Sequence, residues 1–231
     1  MTSPFALRPI VTLTDVGKSF GEGPALVRAL ENVSMSLHPG EVVGLVGRSG
    51  SGKTTLLNIL LGWETPDRGA VRWDGLESTT GASLKWDEVG VLPQTPALID
   101  ELSILDNVRL PQTLAALAPD DRRLGRIMSR LDIAHLAHRR PSQTSLGEQQ
   151  RTSLARAIAL RPRVLIADEP TSHQDATRAK GAFELFKEIA LEGGSCLVAT
   201  HSDDAARSCD RIVTLEGGRL RPASNEEISR G

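Results

Sequence analysis

Cysteine, aromatic side chains and long apolar runs are all scarce in this sequence of 231 residues. The two cysteines, Cys196 and Cys209, lack metal-type spacing, so we expect no disulfide framework and assign these thiols no function. No apolar run approaches the roughly 20 residues that a membrane-spanning helix needs, and the N-terminal segment lacks a signal-peptide core. We therefore expect a chain that stays in the cytosol.

An excess of charge of one sign is also lacking, because 27 basic residues face 29 acidic ones and leave a net charge of −2. Without a general basic field, nucleic acid is not an expected partner, although this balance says nothing about a local patch. Hydrophobic residues make up 39% of the chain, which is enough for a packed core. The length fits one large domain or a domain with an embedded subdomain.

What the sequence does contain is a glycine-framed segment, GRSGSGKTT, between an apolar stretch and a helical pattern. Gly47, Gly52, Lys53 and Thr54 occupy the fixed positions of the phosphate-binding loop (P-loop), G-x-x-x-x-G-K-[ST]. Glycines let backbone N–H groups turn toward phosphate oxygens, and a helix that begins near Lys53 points its positive dipole end at them. The alternative, a glycine-rich turn with a solvated lysine, is disfavoured by both flanks and by carboxylates further along the chain.

We expect Lys53 to reach the β- and γ-phosphates and Thr54 to supply a hydroxyl for Mg²⁺. The predicted phosphate-binding residues are Gly47, Arg48, Ser49, Gly50, Ser51, Gly52, Lys53, Thr54 and Thr55.

A second segment, RVLIADEP, places two carboxylates after a short apolar run. Asp168 and Glu169 end this predicted strand, and ligands of α/β proteins bind at the carboxyl ends of the strands. We expect Asp168 to hold Mg²⁺ through water and Glu169 to polarise the water that attacks the γ-phosphate. Alone, two such carboxylates would more often be solvated than catalytic, and the P-loop reverses that preference.

Short apolar runs bounded by polar turns predict strands that are buried on both faces of a mostly parallel sheet. They cover residues 42–46, 164–168, 196–200 and 211–215. Alternating patterns at 10–13 and 33–37 predict a further sheet layer. Between residues 95 and 161 the pattern becomes helical, at 105–117, 120–131 and 148–160. Prolines mark expected break points in this region, at Pro96, Pro111, Pro119 and Pro141.

Two more motifs follow the carboxylates: EPTSHQD begins at Glu169, and the run LVATH ends at His201. With these residues the chain resembles, over essentially its whole length, the nucleotide-binding subunit of an ATP-binding cassette (ABC) transporter. The resemblance implies an α/β P-loop NTPase fold with a RecA-like core and an antiparallel β layer. It places this core in residues 1–94 and 158–231 of a single 1–231 domain, and an inserted helical subdomain in residues 95–157.

The resemblance also implies roles for single residues. His201 would contact the γ-phosphate, and Gln94 would link Mg²⁺ to the helices that face a partner. Phe20 would stack on adenine, for which a flat apolar face is sufficient. A lone histidine after a strand is otherwise often structural, and an aromatic residue near a strand end is often part of the core. The implied catalytic residues are Lys53, Glu169 and His201; Thr54, Gln94 and Asp168 are the implied metal residues, and Ser172 to Asp175 match the family's D-loop.

One motif departs from the family pattern. The signature segment, usually LSGGQ or LSGGE followed by QQR, reads TSLGE and then QQR, with Leu146 in place of the first glycine. The family presents this segment to ATP held by a second subunit, so Ser145, Gly147, Glu148 and, in the D-loop, Asp175 are implied to bind there. Because a bulky side chain restricts backbone approach, we expect slower turnover or a requirement for a partner subunit, with ATP binding retained.

Finer similarities, at residues 21–24, 56–59 and 106–111, look like the lipoprotein-release and macrolide-export ATPases, with LolD and MacB as examples. The resemblance implies ATP and Mg²⁺ as ligands, a second cassette of identical or different sequence, and a transmembrane permease subunit. It also implies a place at the cytoplasmic face of the membrane. Two alternatives stay open: an FtsE-like ATPase that regulates a membrane partner without transport, and a non-membrane ABC ATPase. The latter usually has long coiled-coil insertions or two cassettes, which 231 residues cannot hold.

Overall fold

The computed structural model describes residues 8–74, 88–172 and 175–222, so part of the D-loop lies outside the described residues. The strands in these ranges are β1 (Val11–Phe20), β2 (Val27–Leu37), β3 (Val42–Val46), β4 (Arg68–Trp73), β5 (Val89–Leu92), β6 (Val164–Asp168), β7 (Ser195–Thr200), β8 (Arg211–Glu216) and β9 (Arg219–Pro222). The helices are α1 (Lys53–Leu60), α2 (Ile104–Leu114), α3 (Asp121–Arg130), α4 (Leu146–Ala157), α5 (Ala176–Leu191) and α6 (Asp203–Arg207).

Six strands form the larger sheet in the order β5-β6-β7-β3-β8-β9. All neighbours in this sheet are parallel except the edge pair β8 and β9. Every residue of β6 and β7 is buried, as expected for strands covered on both faces. Parallel pairing brings the carboxyl ends of β3, β6 and β7 to one edge of the sheet. The P-loop, the two carboxylates and the histidine all follow these ends.

The smaller sheet is antiparallel, in the order β2-β1-β4, and its register shifts several times along β1. Its apolar side chains pack together with α1 against one face of the larger sheet. The opposite face carries a second apolar cluster, to which α2, α3, α4 and α5 contribute. Alternation along β6 divides the two clusters, because Leu165 and Ala167 join the helices whereas Ile166 joins the smaller sheet.

The expected α/β fold with a parallel sheet, an antiparallel layer and a helical stretch is confirmed. The helices between residues 104 and 157 begin and end within a few residues of the predicted ranges. Pro111, which falls inside the predicted helical segment 105–117, does not act as a break point, because α2 continues through it. Ile104, Val108 and Pro111 are buried on the inner side of α2, and this packing outweighs the backbone hydrogen bond that proline cannot donate.

Candidate nucleotide-binding site

The loop between β3 and α1 contains two glycines that have no room for a Cβ atom. A Cβ on Gly47 would lie 2.4 Å from Leu215 O, and one on Gly52 would lie 2.4 Å from Ala29 O. Gly52 also has a positive φ of 104°, which side chains disfavour, and it immediately precedes the first residue of α1. The unpaired N–H groups of the first turn of α1 therefore lie at the loop.

Lys53 opens α1, and its ammonium group bends back over the loop. Its Nζ donates to Gly47 O at 2.6 Å and lies 3.4 Å from Arg48 O, and the side chain is buried. The positive charge is therefore fixed at the loop rather than dispersed in solvent. This is the position that the motif requires for a group that binds phosphate oxygens.

Asp168, at the end of β6, faces the same loop. Thr54 Oγ1 donates to Asp168 Oδ2 at 3.1 Å. Burial raises the pKa of the Asp168 carboxyl, the Thr54 hydrogen bond opposes this shift, and the charge of Glu169 adds to it. The pair supplies a hydroxyl and a carboxylate oxygen, the hard donors that Mg²⁺ prefers.

The described residues contain no group of three or more His, Cys, Asp or Glu side chains that could hold a metal ion. A cation at Thr54 and Asp168 would thus complete its shell with oxygens from outside this set. The donor set fits Mg²⁺, which usually keeps several waters and shares substrate phosphate oxygens.

Glu169 is held in an unusual backbone conformation beside His201. Its φ is 51°, in the left-handed region, and its N–H donates to Ala199 O at 2.9 Å. The carboxylate contacts His201 Nδ1 at 2.7 Å and accepts from the Thr200 hydroxyl at 3.4 Å. Because an ionised carboxylate can only accept, the short contact selects a ring that carries a proton on Nδ1.

One cavity of about 740 Å³ collects most of the predicted site residues. It is lined by the predicted Phe20, Arg48, Ser49, Gly50, Ser51, Gly52, Lys53, Thr54, Thr55, Gln94, Asp168, Glu169 and His201. Gly47 lies buried at the end of β3, where its carbonyl accepts from Lys53. The structure thus brings the phosphate loop, the two carboxylates, the histidine and the aromatic residue to one place.

The cavity has five further lining residues that motif reading missed: Val27, Arg28, Ala29, Gly217 and Gly218. The first three begin β2, and the two glycines form the turn between β8 and β9. Glu31 N–H donates to Gly218 O at 2.7 Å, which joins these two segments beside the P-loop. The only available sequence signal was the glycine pair, and it indicates a turn without indicating which ligand the turn faces.

Ser145, Gly147 and Glu148 of the signature segment and Asp175 of the D-loop do not join this cavity. Ser145 caps α4: its Oγ accepts from Glu148 N–H at 3.4 Å, while its N–H and its hydroxyl donate to Glu148 Oε2 at 2.7 and 2.9 Å. The backbone hydrogen bond from Ser145 lowers the pKa of Glu148. Asp175 caps α5 in the same way, by accepting from Arg178 N–H at 2.9 Å. Gly147 and the exposed Leu146 lie in the first turn of α4. Within one chain, all of these residues lie outside the nucleotide cavity.

The profile of the family described as ABC transporter matches residues 30–172, which is more than half of the chain. The chain belongs to the ABC transporter family.

Two of three curated relatives of this ABC protein are covered almost completely by the chain, and the third is much longer. The lipoprotein-releasing system ATP-binding protein LolD of Pseudomonas syringae pv. tomato is 38% identical, over 92% of this chain and 97% of LolD. An uncharacterized ABC transporter ATP-binding protein of Mycobacterium tuberculosis is 36% identical over 95% of this chain and 92% of its own length. The macrolide export ATP-binding/permease protein MacB of Bordetella avium is 36% identical over 92% of this chain, which spans 33% of that longer protein.

Solved structures extend the comparison to the fold. The ATP-binding cassette MJ0796, in a dimeric post-hydrolysis state with ADP and Pi, matches with a TM-score of 0.83 and 30% identity, over 93% of this chain and 99% of MJ0796. The ABC chain described here is therefore an ATPase cassette of the LolD and MacB type. In its described residues, no helix has the length and apolar character needed to cross a bilayer.

Proposed function

We propose that this chain binds MgATP in the 740 Å³ cavity and hydrolyses it when a second cassette closes over the cavity. The observation that carries the proposal is the convergence of Lys53, the Thr54 and Asp168 pair, and the Glu169 and His201 pair at one edge of the sheet. Phosphoryl transfer depends mainly on positioning and electrostatic stabilisation, and these groups can provide both.

Each group has a separate task in this proposal. Lys53 neutralises charge on the β- and γ-phosphates, and Phe20 offers its partly exposed ring to adenine. Glu169 orients the attacking water and accepts its proton, while His201 holds the carboxylate and contacts the γ-phosphate. Thr54, Asp168 and Gln94 would hold Mg²⁺, which when bound neutralises charge on the phosphate oxygens.

We propose that a second cassette, most simply a second copy of this chain, supplies what the cavity lacks. Ser145, Gly147 and Glu148 lie at the N-terminus of α4, and Asp175 lies at the N-terminus of α5. Helix N-termini favour anions, so these ends suit a nucleotide bound by another protomer. The dimeric state of MJ0796 supports this arrangement.

A membrane permease subunit is the proposed partner on another surface, and residues 95–157 are the proposed helical subdomain that contacts it. Exposed apolar side chains, Trp63, Ile99 and Leu114, line a groove of about 300 Å³. Pro93 and Ala97 line the same groove, and Gln94 between them lines the nucleotide cavity. One short segment thus touches both places, which provides a direct route for movement from nucleotide to partner. Such docking would hold the chain at the cytoplasmic face of the membrane.

The nucleotide proposal is tested by measuring ATP affinity with and without Mg²⁺ by calorimetry. Lys53→Ala should weaken binding at least tenfold, because a hydrogen bond to a charged group contributes about 1.5–3 kcal/mol. Lys187→Ala, which removes an exposed lysine of α5, should leave the affinity unchanged. Equal affinity of the Lys53→Ala variant and the wild type would contradict the phosphate role.

The partner proposal is tested by co-purification from detergent-solubilised membranes. Leu114→Asp should reduce recovery of the membrane partner by roughly tenfold, since a charge in an apolar contact removes a central anchor. Leu117→Asp is the matched control, because Leu117 is similarly exposed but does not line the groove. If both variants recover the partner equally well, the groove is not the docking surface.

A further inference from the structure

Gln150 is a buried polar residue in the QQR run of the signature segment, and the motif assigns it no role. It lies in α4 with 0% of its surface exposed. Its Nε2 donates to Glu169 O at 3.4 Å, whereas its Oε1 is buried without a hydrogen-bond partner among the described residues. A buried acceptor without a partner destabilises a fold, and an apolar side chain of similar shape would avoid that penalty. A purely structural role therefore explains this glutamine poorly.

The Glu169 carbonyl is where three motifs meet. It accepts from Gln150 in α4 and from Ser172 N–H at 3.3 Å, at the start of the D-loop. Glu169 itself has a left-handed φ of 51°. Such a conformation persists only when the surrounding contacts fix it, and here they bind both the N–H and the carbonyl of the residue.

We propose that Gln150 is a positioning residue for hydrolysis, which holds the Glu169 peptide in the orientation that aims its carboxylate into the cavity. This inference rests on the proposed role of Glu169. Gln150 lies in α4, which Ser145 caps, so the bond joins the Glu169 backbone to the helix whose N-terminus would face the other chain's nucleotide. The bond is long at 3.4 Å, and catalytic hydrogen bonds often shorten only in the assembled complex.

The test replaces the amide with an apolar side chain of similar length. Gln150→Met should lower kcat roughly tenfold or more, because small misplacements of catalytic groups are costly, while KM and the MgATP dissociation constant stay unchanged. Its melting temperature should be equal to or higher than that of the wild type, since the unpaired Oε1 is removed. Amide hydrogen exchange at Ser172 should become faster, because the Glu169 carbonyl is held less firmly.

Gln112→Met is the matched control. Gln112 is a buried glutamine of α2 that accepts from Asp120 N–H and does not contact Glu169. This control should lose some stability and keep its kcat. If Gln150→Met lowers the melting temperature and leaves kcat at the wild-type value, Gln150 is structural and the inference is wrong. Gln150→Leu repeats the test if the methionine variant folds poorly.

A double-mutant cycle with Glu169→Gln separates this inference from the proposed function. Once the carboxylate is gone, Gln150→Met should have little further effect on the remaining turnover. Full additivity of the two changes would overturn the positioning role. If Glu169→Gln alone hydrolyses ATP at the wild-type rate, the proposed role of Glu169 fails and the inference fails with it, whereas MgATP hydrolysis in the cavity stands; if only Gln150→Met does so, the inference alone fails.

Discussion

The nucleotide cavity and the start of α4 are both built from sequence motifs, but their polar groups are used differently. In the cavity, side chains from distant parts of the sequence contact one another: Thr54 reaches Asp168, and Glu169 reaches His201. At the start of α4, the side-chain hydrogen bonds of Ser145 go to Glu148, three residues away, while Leu146 is 47% exposed. The cavity is assembled by the fold, whereas the Ser145 cap uses hydrogen bonds within a single turn.

The proposed ATP site combines the cavity of one chain with the start of α4 of a second chain, and the difference shows that a single chain can build only the cavity. The cavity has its ammonium, carboxylates and histidine in place before any second chain arrives. The start of α4 is capped, but Ser145, Gly147 and Glu148 lie outside the cavity of their own chain, so their proposed ligand must come from a second chain. A helix end that is already ordered loses little conformational freedom on binding, which suits a surface for a second copy.

The largest effect is expected from a substitution in the cavity. Glu169→Gln should lower ATP turnover by roughly 10²- to 10⁴-fold, because the amide cannot accept the water's proton, while MgATP affinity is retained. Size-exclusion chromatography with ATP should show a persistent closed dimer. Glu192→Gln, an exposed carboxylate beyond α5, serves as the control. Wild-type turnover in the Glu169→Gln variant would show that another group is the base.

A smaller effect is expected at the start of α4. Leu146→Gly should raise turnover of the assembled protein about three- to tenfold, the equivalent of about 1 kcal/mol in the barrier, because the backbone of α4 could approach the opposite nucleotide more closely. ATP affinity of the isolated chain should not change. Leu191→Gly replaces another exposed leucine at the end of α5 and controls for helix destabilisation. No increase in any assembled form would contradict the steric explanation.

The smallest effect concerns the stability of the cavity itself. Burial raises the pKa of Asp168, so the folded chain pays to ionise this carboxyl at neutral pH. Because the pKa is raised on folding, the folded chain has its full stability below the usual carboxyl pKa of 3.8. It loses part of that stability as pH rises through the pKa that Asp168 has in the folded chain. Asp168→Asn should therefore raise the melting temperature of the nucleotide-free chain at pH 7 by a few degrees, or about 1 kcal/mol.

Thermal scans at several pH values test the sign of this effect. The difference between Asp168→Asn and wild type should shrink as pH falls toward 3.8, because Asp168 then becomes neutral in both folded and unfolded chains. A difference that grows at low pH would show that the ionised carboxylate is stabilised by its surroundings.

The buried strands were predictable because their signal is local. β3 and β6 have the predicted bounds and β7 and β8 differ by one residue, since strands covered on both faces are continuous apolar runs. β4 and β9 gave no such signal: β4 contains two arginines and a glycine with φ of 80°, and β9 is a short edge strand. Their pairing depends on partners that lie far away in the sequence.

In the candidate site, too, the residues with a local sequence signal were predictable, and those that depend on distant contacts were not. Motif spacing identified the P-loop and both carboxylates, because each motif combines a turn with a strand or helix end. The lining by Arg28 and Gly218 was missed, since only the packing of β2 against the β8–β9 turn brings these residues to the cavity. The contact between Gln150 and Glu169 was missed for the same reason: it joins α4 to the end of β6, and neither position alone indicates the other.

The crowding around Gly47 and Gly52 affects how variants of this loop should be interpreted. Leu215 O and Ala29 O each leave only 2.4 Å for an added carbon, so these backbone atoms enforce glycine whether or not a triphosphate is present. Alanine at either position would therefore damage folding and phosphate recognition together. Selection for glycine here should persist even in a descendant that had stopped using ATP, as long as the strands still packed in this way.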